Sequence, residues 1–124
     1  MVQERFTSQK KLILEFVKNT KKHPSAQEVY LEVKNKLPRI SKATVYRILK
    51  SFVKEGRLRE IPLKISRFDG DISPHAHFFC EKCHRLYDVF DEKINLDNQI
   101  SIGQIKRKEI IYYGICKNCL QRSS

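Results

Sequence analysis

The chain contains four cysteines, and all of them lie in two Cys-x-x-Cys pairs. The first pair is Cys80 and Cys83, the second is Cys116 and Cys119, and 32 residues separate the two pairs. Two such pairs supply four thiolates, which is the complete ligand set of a tetrahedral structural zinc site. We therefore predict that the chain beyond residue 79 is organised around a zinc ion.

Two disulfides or a redox-active dithiol are the alternative interpretations of these cysteines. Disulfides need an oxidising compartment, whereas residues 1–5 contain no apolar run of the kind found in a secretory signal. A thioredoxin-like dithiol needs one Cys-x-x-Cys beside a βαβ pattern, and this chain has two pairs without that pattern. Reduced thiols and a cytoplasmic location are therefore the expectation.

The positive charge of the chain is concentrated in its first half. The formal net charge is +11, and the length is 124 residues. Residues 1–60 carry 15 Lys and Arg against 6 Asp and Glu, a net of +9, whereas residues 61–124 carry 10 against 8, a net of +2. A basic surface attracts phosphates, so nucleic acid is favoured over an acidic membrane or an acidic protein. A surface that is merely soluble is the plainer alternative. The roughly 18 apolar residues of a membrane span are not present.

Apolar residues at helical spacing predict three amphipathic helices in this basic half, over residues 8–19, 26–36 and 41–55. Ser25 and Glu28 form a capping-box pattern at the start of the second helix, and Gly56 is placed to end the third. Exposed positions of the third helix carry side chains suited to phosphates and base edges. The predicted DNA contacts are Lys42, Thr44, Tyr46, Arg47 and Lys50.

Short extended segments predict the rest of the fold. Residues 58–63 and 64–68 are expected to pair as a hairpin, the wing that follows a helix-turn-helix. Apolar runs at 77–79, 86–90 and 110–113 predict strands of a second unit, and residues 91–106 carry a weak helical pattern. The predicted fold is α+β, with a winged helix-turn-helix DNA-binding domain over 1–68, a hinge over 69–75, and a small α/β dimerisation domain with the four-cysteine zinc site over 76–124.

A second metal site of different chemistry is predicted around His75 and His77. Side chains two apart on an extended segment point the same way, so both imidazoles can share one ion, whereas Cys80 faces the other side. Nitrogen and carboxylate ligands suit Fe²⁺ or Mn²⁺ better than a structural zinc. The candidate carboxylates nearby are Asp69, Asp71 and Asp88. The alternative is that His75 and His77 are two exposed histidines on a strand. For His23, which precedes the second predicted helix, the sequence alone favours a surface loop histidine.

Six short motifs, spread over nearly the whole chain, occur together in one known family. They are His23-Pro24-Ser25-Ala26, the run SKATVYR over 41–47, RFDG over 67–70, His75-Ala76-His77 before the first cysteine pair, Asp88 five residues past Cys83, and YGIC over 113–116. In these motifs the chain resembles the ferric uptake regulator family of metalloregulators, and most closely its peroxide-sensing repressor branch.

The resemblance implies a regulatory metal site with ligands from both predicted domains. Those ligands are His23, Asp69, His75, His77 and Asp88. Aspartate at both carboxylate positions is similar to the peroxide sensors, whereas iron sensors often carry glutamate there. The resemblance further implies that bound Fe²⁺ reacts with peroxide, that His23 and His75 are oxidised, and that the repressor then leaves DNA. With Mn²⁺ the repressor is expected to persist.

The resemblance also implies the partners. These are a homodimer, a double-stranded DNA operator, one structural zinc and one regulatory Fe²⁺ or Mn²⁺ per chain, with no membrane and no small-molecule substrate other than peroxide as a signal. Residues 91–112 are shorter than in typical members, which trims the dimerisation segment. An iron- or manganese-responsive repressor of metal uptake is the alternative function. An enzyme is disfavoured, because no motif supplies a substrate pocket or a water-activating carboxylate beside the metal.

Overall fold

The structure of the protein is a computed structural model, which describes residues 2–90 and 99–122. The chain divides into two compact units, Met1–Ile72 and Ser73–Ser124. The first unit contains α1 (Val2–Asn19), α2 (Ala26–Val33), α3 (Lys42–Lys54), β1 (Arg59–Ile61) and β2 (Arg67–Asp69). The second contains β3 (Ala76–Cys80), β4 (Leu86–Val89), β5 (Gln99–Ile100), β6 (Gly103–Gln104), β7 (Ile111–Gly114) and α4 (Lys117–Arg122).

The helix ends of the first unit follow from local side-chain chemistry. Ser25 Oγ accepts a hydrogen bond from the Glu28 backbone N–H at 3.2 Å, and the Glu28 carboxylate accepts one from the Ser25 N–H at 3.0 Å. This capping box was predicted and is confirmed. Ser41 caps α3 by accepting from the Thr44 N–H. After α3, Gly56 adopts a φ of 76°, a left-handed conformation that glycine enters without strain.

The core of the first unit is formed by the apolar faces of its three helices together with the wing. Its buried side chains are Ile13, Val17, Val29, Val33, Ile40, Val45, Ile48, Leu49, Phe52, Leu58 and Phe68. The wing strands β1 and β2 pair antiparallel, with Arg59 opposite Asp69. Phe68 is fully buried, and its backbone N–H donates to the Pro24 carbonyl at 2.9 Å. The wing is therefore fixed to the loop that precedes α2.

The second unit is a three-stranded sheet with strand order β4-β3-β7. The central strand β3 pairs antiparallel with β4 and parallel with β7. Three cysteines form the buried centre of a small cluster in this unit, with Phe78 and Tyr87 packed against them. In the part of the chain that the structure describes, no helix has both the length and the apolar character to cross a bilayer.

Several predicted boundaries differ from the structure. The first helix begins at Val2 rather than at residue 8, the second ends at Val33, and each wing strand has three residues. The helix predicted over 91–106 was wrong in the part of that range that the structure describes, because residues 99–104 form the β5–β6 hairpin. Gly103 follows its turn, and glycine is a poor helix former. Residues 91–98 lie outside the described residues.

Gly70 lies close against the backbone of α1. A Cβ built on this residue would lie 2.5 Å from Lys18 Cα and 2.8 Å from the Val17 carbonyl oxygen. Both neighbours are backbone atoms of α1, so they cannot move aside as a side chain would. Any larger residue at position 70 must therefore displace β2 and its extension from α1.

We expect Gly70→Ala to destabilise the first unit by about 1–3 kcal/mol, as overpacking against a fixed backbone does. Gly103→Ala is the matched control, since a Cβ there meets nothing within 4 Å, and its effect should stay within about 0.5 kcal/mol. Urea unfolding followed by circular dichroism measures both values. Equal stability of the two variants would contradict the close approach.

Candidate metal sites and nucleic-acid interface

The four cysteine sulfur atoms of the second unit converge on one point. All of them lie within 4.8 Å of one another, with 3.7 Å between the Sγ atoms of Cys80 and Cys119 and 3.9 Å between those of Cys83 and Cys116. Ligands at the Zn–S distance of about 2.3 Å lie about 3.8 Å apart at the edges of a tetrahedron. A disulfide would need about 2.05 Å, and these four cysteines form none. The donor set thus fits a four-coordinate zinc ion.

Parallel pairing of β3 with β7 brings the two cysteine pairs together. In this register Cys80 lies opposite Gly114, and the Glu81 N–H donates to the Gly114 carbonyl at 2.8 Å. Cys80 Sγ then accepts hydrogen bonds from the backbone N–H groups of Cys83 and Cys116, each at 3.4 Å. Each pair therefore begins where a strand of the sheet ends, and one sulfur is held by backbone donors from both pairs.

These contacts shift the pKa values of the thiols in opposite directions. Burial raises the pKa of Cys80, but the N–H donors from Cys83 and Cys116 outweigh it and bring the pKa to about 5. Burial raises the pKa of Cys119 to about 12. A hydrogen bond from the Tyr87 hydroxyl lowers the pKa of Cys116 and raises that of Tyr87. One sulfur thus ionises readily, whereas Cys119 holds its proton unless a cation displaces it.

A second group of ligand atoms in the same unit lies where β3 meets β4. The antiparallel register places His77 opposite Asp88. Asp88 Oδ1 is 3.3 Å from His77 Nε2 and 3.1 Å from His75 Nε2. Both histidines are buried, which excludes the alternative of two exposed strand histidines. His75 Nδ1 lies 2.7 Å from the Ser73 carbonyl, which can only accept, so Nδ1 is the donor in this contact and Nε2 is the nitrogen that faces Asp88.

The spacing of these three atoms fits a divalent cation. At bond lengths of about 2.1 Å, neighbouring ligand atoms lie about 3.0–3.4 Å apart, from an octahedral to a tetrahedral arrangement. The two histidine-to-aspartate distances, 3.1 and 3.3 Å, fall in that interval. Nitrogen and oxygen donors without sulfur also suit Fe²⁺ or Mn²⁺. The Ser73 carbonyl was missed by sequence reasoning, because a backbone acceptor leaves no mark on the sequence.

In the first unit the structure brings together His23 and Asp69. His23 Nε2 lies 3.5 Å from Asp69 Oδ2, and the two residues are 4% and 6% exposed. His23 has a φ of 52°, unusual for a residue other than glycine. The expectation of a surface loop histidine is therefore wrong: the hydrogen bond between Pro24 and Phe68 draws the loop against the wing.

The remaining candidates from the sequence lie apart from these groups. Asp71 is exposed, and its backbone N–H donates to Asp69 Oδ1 at 2.9 Å. His84 is exposed, and its ring stacks on that of Phe79 with 5.8 Å between the ring centroids. Among the residues that the structure describes, neither belongs to a cluster of converging ligand atoms.

All five predicted DNA contacts lie on α3. Lys42, Tyr46 and Arg47 are exposed. Thr44 is half-buried, and its hydroxyl accepts hydrogen bonds from Ser41 Oγ at 2.9 Å and from Arg47 Nη2 at 3.4 Å. Thr44 therefore completes the start of the helix and orients the guanidinium, whose five N–H groups match base edges and phosphates.

Two aromatic rings hold lysines on this side of the first unit. The ammonium groups of Lys34 and Lys42 each lie 5.6 Å from the centre of the Tyr30 ring. Lys50 lies 5.5 Å from the ring of Tyr46. A cation over an aromatic face is attracted by the ring quadrupole, so the flexible lysine stems are partly oriented before any ligand binds.

Comparison with known proteins gives consistent results. The sequence model of the Ferric uptake regulator family matches residues 2–113. The chain is 32% identical over 126 residues to the peroxide operon regulator of Bacillus subtilis, covering 97% of this chain and 87% of that protein. It is 33% identical over 121 residues to the peroxide-responsive repressor PerR of Staphylococcus saprophyticus, covering 93% and 82%.

Solved structures agree in fold. The Campylobacter jejuni peroxide stress regulator has a TM-score of 0.75 and 25% identity, over 94% of this chain and 93% of that one. The Helicobacter pylori ferric uptake regulator has a TM-score of 0.79 at 19% identity, over 94% and 83%, and its likeness concerns the fold alone. The winged helix-turn-helix and α+β architecture predicted from the sequence are thereby confirmed. With a family match from residue 2 to residue 113 and relatives above 30% identity along nearly its whole length, the protein belongs to the ferric uptake regulator family.

Proposed function

We propose that the protein is a metal-dependent DNA-binding transcriptional repressor that responds to peroxide. The observation that carries the proposal is the identity of its relatives: those at 32% and 33% identity over nearly the whole chain are named as peroxide regulators. Aspartate at positions 69 and 88 is consistent with that branch. The protein would act in the cytoplasm as a homodimer on an operator, and an enzymatic activity is not part of the proposal.

The structural ion in this proposal is zinc, bound by Cys80, Cys83, Cys116 and Cys119. Support comes from sulfur spacings of 3.7 and 3.9 Å and from the preference of four thiolates for a tetrahedral ion. Its role is to join the end of β3 to the start of α4. Because the ligand set is complete with four thiolates, it has no open position for a substrate.

The regulatory ion is proposed to be Fe²⁺ or Mn²⁺, with the ligands His23, Asp69, His75, His77 and Asp88. Support within the second unit is the convergence of His75 and His77 on Asp88, and support within the first is the His23–Asp69 pair. An ion that takes ligands from both units stabilises the arrangement in which all of them reach it. Metal would then act as co-repressor by favouring the DNA-binding arrangement.

In this proposal bound Fe²⁺ would supply the redox chemistry that activates hydrogen peroxide for O–O cleavage. The protein contributes imidazole rings held beside that chemistry, of which His23 and His75 are the proposed targets. One peroxide oxygen would be inserted into a ring C–H bond, with water as the other product, and the oxidised ring would bind the metal poorly. The His75 ring cannot offer its other nitrogen, because Nδ1 donates to the Ser73 carbonyl. Loss of the ligand removes the preference for the DNA-binding arrangement.

Cys116→Ser should release zinc and dissociate the dimer. Structural zinc contributes roughly 10–16 kcal/mol of folding free energy in zinc-finger peptides, and the described core cluster of the second unit consists largely of the zinc ligands. Metal analysis and sedimentation measure the two effects. Asn118→Ser, an exposed position inside the same cysteine pair, is the matched control and should keep both zinc and dimer. A Cys116→Ser variant that stays dimeric and folded in chelator contradicts the structural role.

Fe²⁺-loaded protein treated with a low dose of hydrogen peroxide should gain the mass of one oxygen atom at His23 or His75 and lose DNA binding. Peptide mass mapping and a binding assay follow the two changes. His84 is an internal control, because it is exposed and outside the proposed ligand set. Mn²⁺-loaded protein should remain unmodified and bound. Unmodified histidines together with retained DNA binding in the Fe²⁺ sample would favour a metal-responsive repressor without peroxide sensing.

Lys42→Gln should weaken binding to any duplex and make the log–log salt dependence shallower by about 0.9, the value for one phosphate contact. Lys117→Gln is the matched control, because it removes an exposed charge from α4 of the second unit. It should leave the slope unchanged. Fluorescence anisotropy at several salt concentrations measures the slopes. If both variants lose affinity equally, α3 is not the phosphate-contacting element.

A further inference from the structure

Glu60 is an acidic residue beside the exposed side of α3, where the proposed DNA contacts lie. It belongs to the wing strand β1. Its Oε1 accepts a hydrogen bond from Lys50 Nζ at 2.7 Å, while the same ammonium lies 5.5 Å from the centre of the Tyr46 ring. The Lys50 side chain is thus fixed from two directions, by an acid of the wing and by an aromatic ring of its own helix.

Folding stability does not explain this ion pair. The Lys50 side chain is 44% exposed and that of Glu60 is 19% exposed, and an ion pair with one partner this accessible to water contributes about 0–1 kcal/mol to folding stability. The pair also works against non-specific DNA affinity, because a carboxylate near phosphates repels them and occupies a lysine that would otherwise neutralise one. In a chain with a net charge of +11, an acid at this place therefore lowers attraction to DNA in general.

Lysine by itself is a poor reader of base sequence. Its ammonium is a compact charge on a flexible stem, and it can reach a phosphate as easily as a base. An ammonium held by Glu60 and Tyr46 points in a restricted direction, and it keeps two further N–H donors. Guanine presents two acceptors, O6 and N7, in the major groove, and lysine can donate to both. Restricting the lysine thus favours a base edge over a phosphate.

We propose that Glu60 is a positioning residue for sequence recognition, which directs the Lys50 ammonium toward guanine O6 and N7 and keeps it from a phosphate. The proposal rests on the proposed function, since it presumes that α3 enters a groove of DNA. The Lys50–Glu60 pair then raises discrimination between sequences and lowers affinity for all of them, which is a role distinct from the phosphate contact proposed for Lys42.

The test compares two probes, a short duplex of random sequence and a duplex selected from a random pool by the wild-type protein. In Glu60→Gln, affinity for the random duplex should rise several-fold, and its log–log salt slope should steepen by about 0.9, because Lys50 becomes available to a phosphate. The preference for the selected duplex should fall about tenfold, the loss expected when one lysine-to-guanine contact is no longer enforced.

Two variants separate positioning from simple charge removal. Glu55→Gln removes the same charge at an exposed position at the end of α3, and it should leave the preference for the selected duplex unchanged. In a Lys50→Met background, Glu60→Gln should no longer alter that preference, because the residue it positions is gone. Thermal melting by circular dichroism verifies that each variant is folded.

Failure of the positioning role and failure of the proposed DNA binding give different results. Suppose that wild-type protein binds both duplexes but Glu60→Gln changes the two affinities by the same factor. The positioning role is then overturned and DNA binding stands. The same conclusion follows if Glu60→Gln alters the preference equally in the wild-type and Lys50→Met backgrounds. If metal-loaded wild-type protein binds neither probe, DNA binding itself is refuted, and the positioning role with it.

Discussion

The second unit depends on a cluster of sulfur atoms in place of an ordinary hydrophobic core. The first unit buries a contiguous set of aliphatic and aromatic side chains from three helices and the wing. The cluster in the second unit has three cysteines at its centre, with Phe78 and Tyr87 beside them. Among the residues of this unit that the structure describes, the apolar groups of this cluster are too few to offset the entropy of ordering them. A cation bound by the four thiolates would supply the missing free energy.

Strand β3 connects this cluster to the second group of ligand atoms. His77 lies near its start and Cys80 at its end, and both are fully buried. The two groups differ in chemistry, since one offers only sulfur and the other only nitrogen and oxygen. Ions would sort between them by softness and preferred geometry. Whatever fixes Cys80 also fixes the backbone that carries His77 and pairs it with Asp88, so the sulfur cluster supports the orientation of the histidines.

Local patterns in the sequence predicted much of the fold, and distant contacts accounted for the errors. The capping box at Ser25 and the end of α3 at Gly56 depend on neighbouring residues, and each was confirmed. The burial of His23 depends on a hydrogen bond between Pro24 and Phe68, 44 residues apart in sequence, so residue-level reasoning placed this histidine on the surface.

The same limit applies to features that the sequence did not suggest. The close approach of Gly70 to α1 and the pairing of Lys50 with Glu60 become visible only once the wing has its register. The predicted helix over 91–106 rested on a weak periodic pattern, and in its described part a poor helix former, Gly103, lies in the β5–β6 hairpin. Patterns of period 3.6 are reliable when an apolar face is long, as in α3, and unreliable when it is not.

The parallel register between β3 and β7 sets the order in which the molecule can assemble. It joins His77 to Ile111 and Cys80 to Gly114, across a long intervening segment, and pairings of such separation form slowly because the loop must close first. The helices of the first unit need only nearby partners. The first unit should therefore fold early, whereas the thiols of the second unit remain unprotected until β3 and β7 have paired. This topology therefore requires that the four thiols stay reduced until the two strands that carry them have paired.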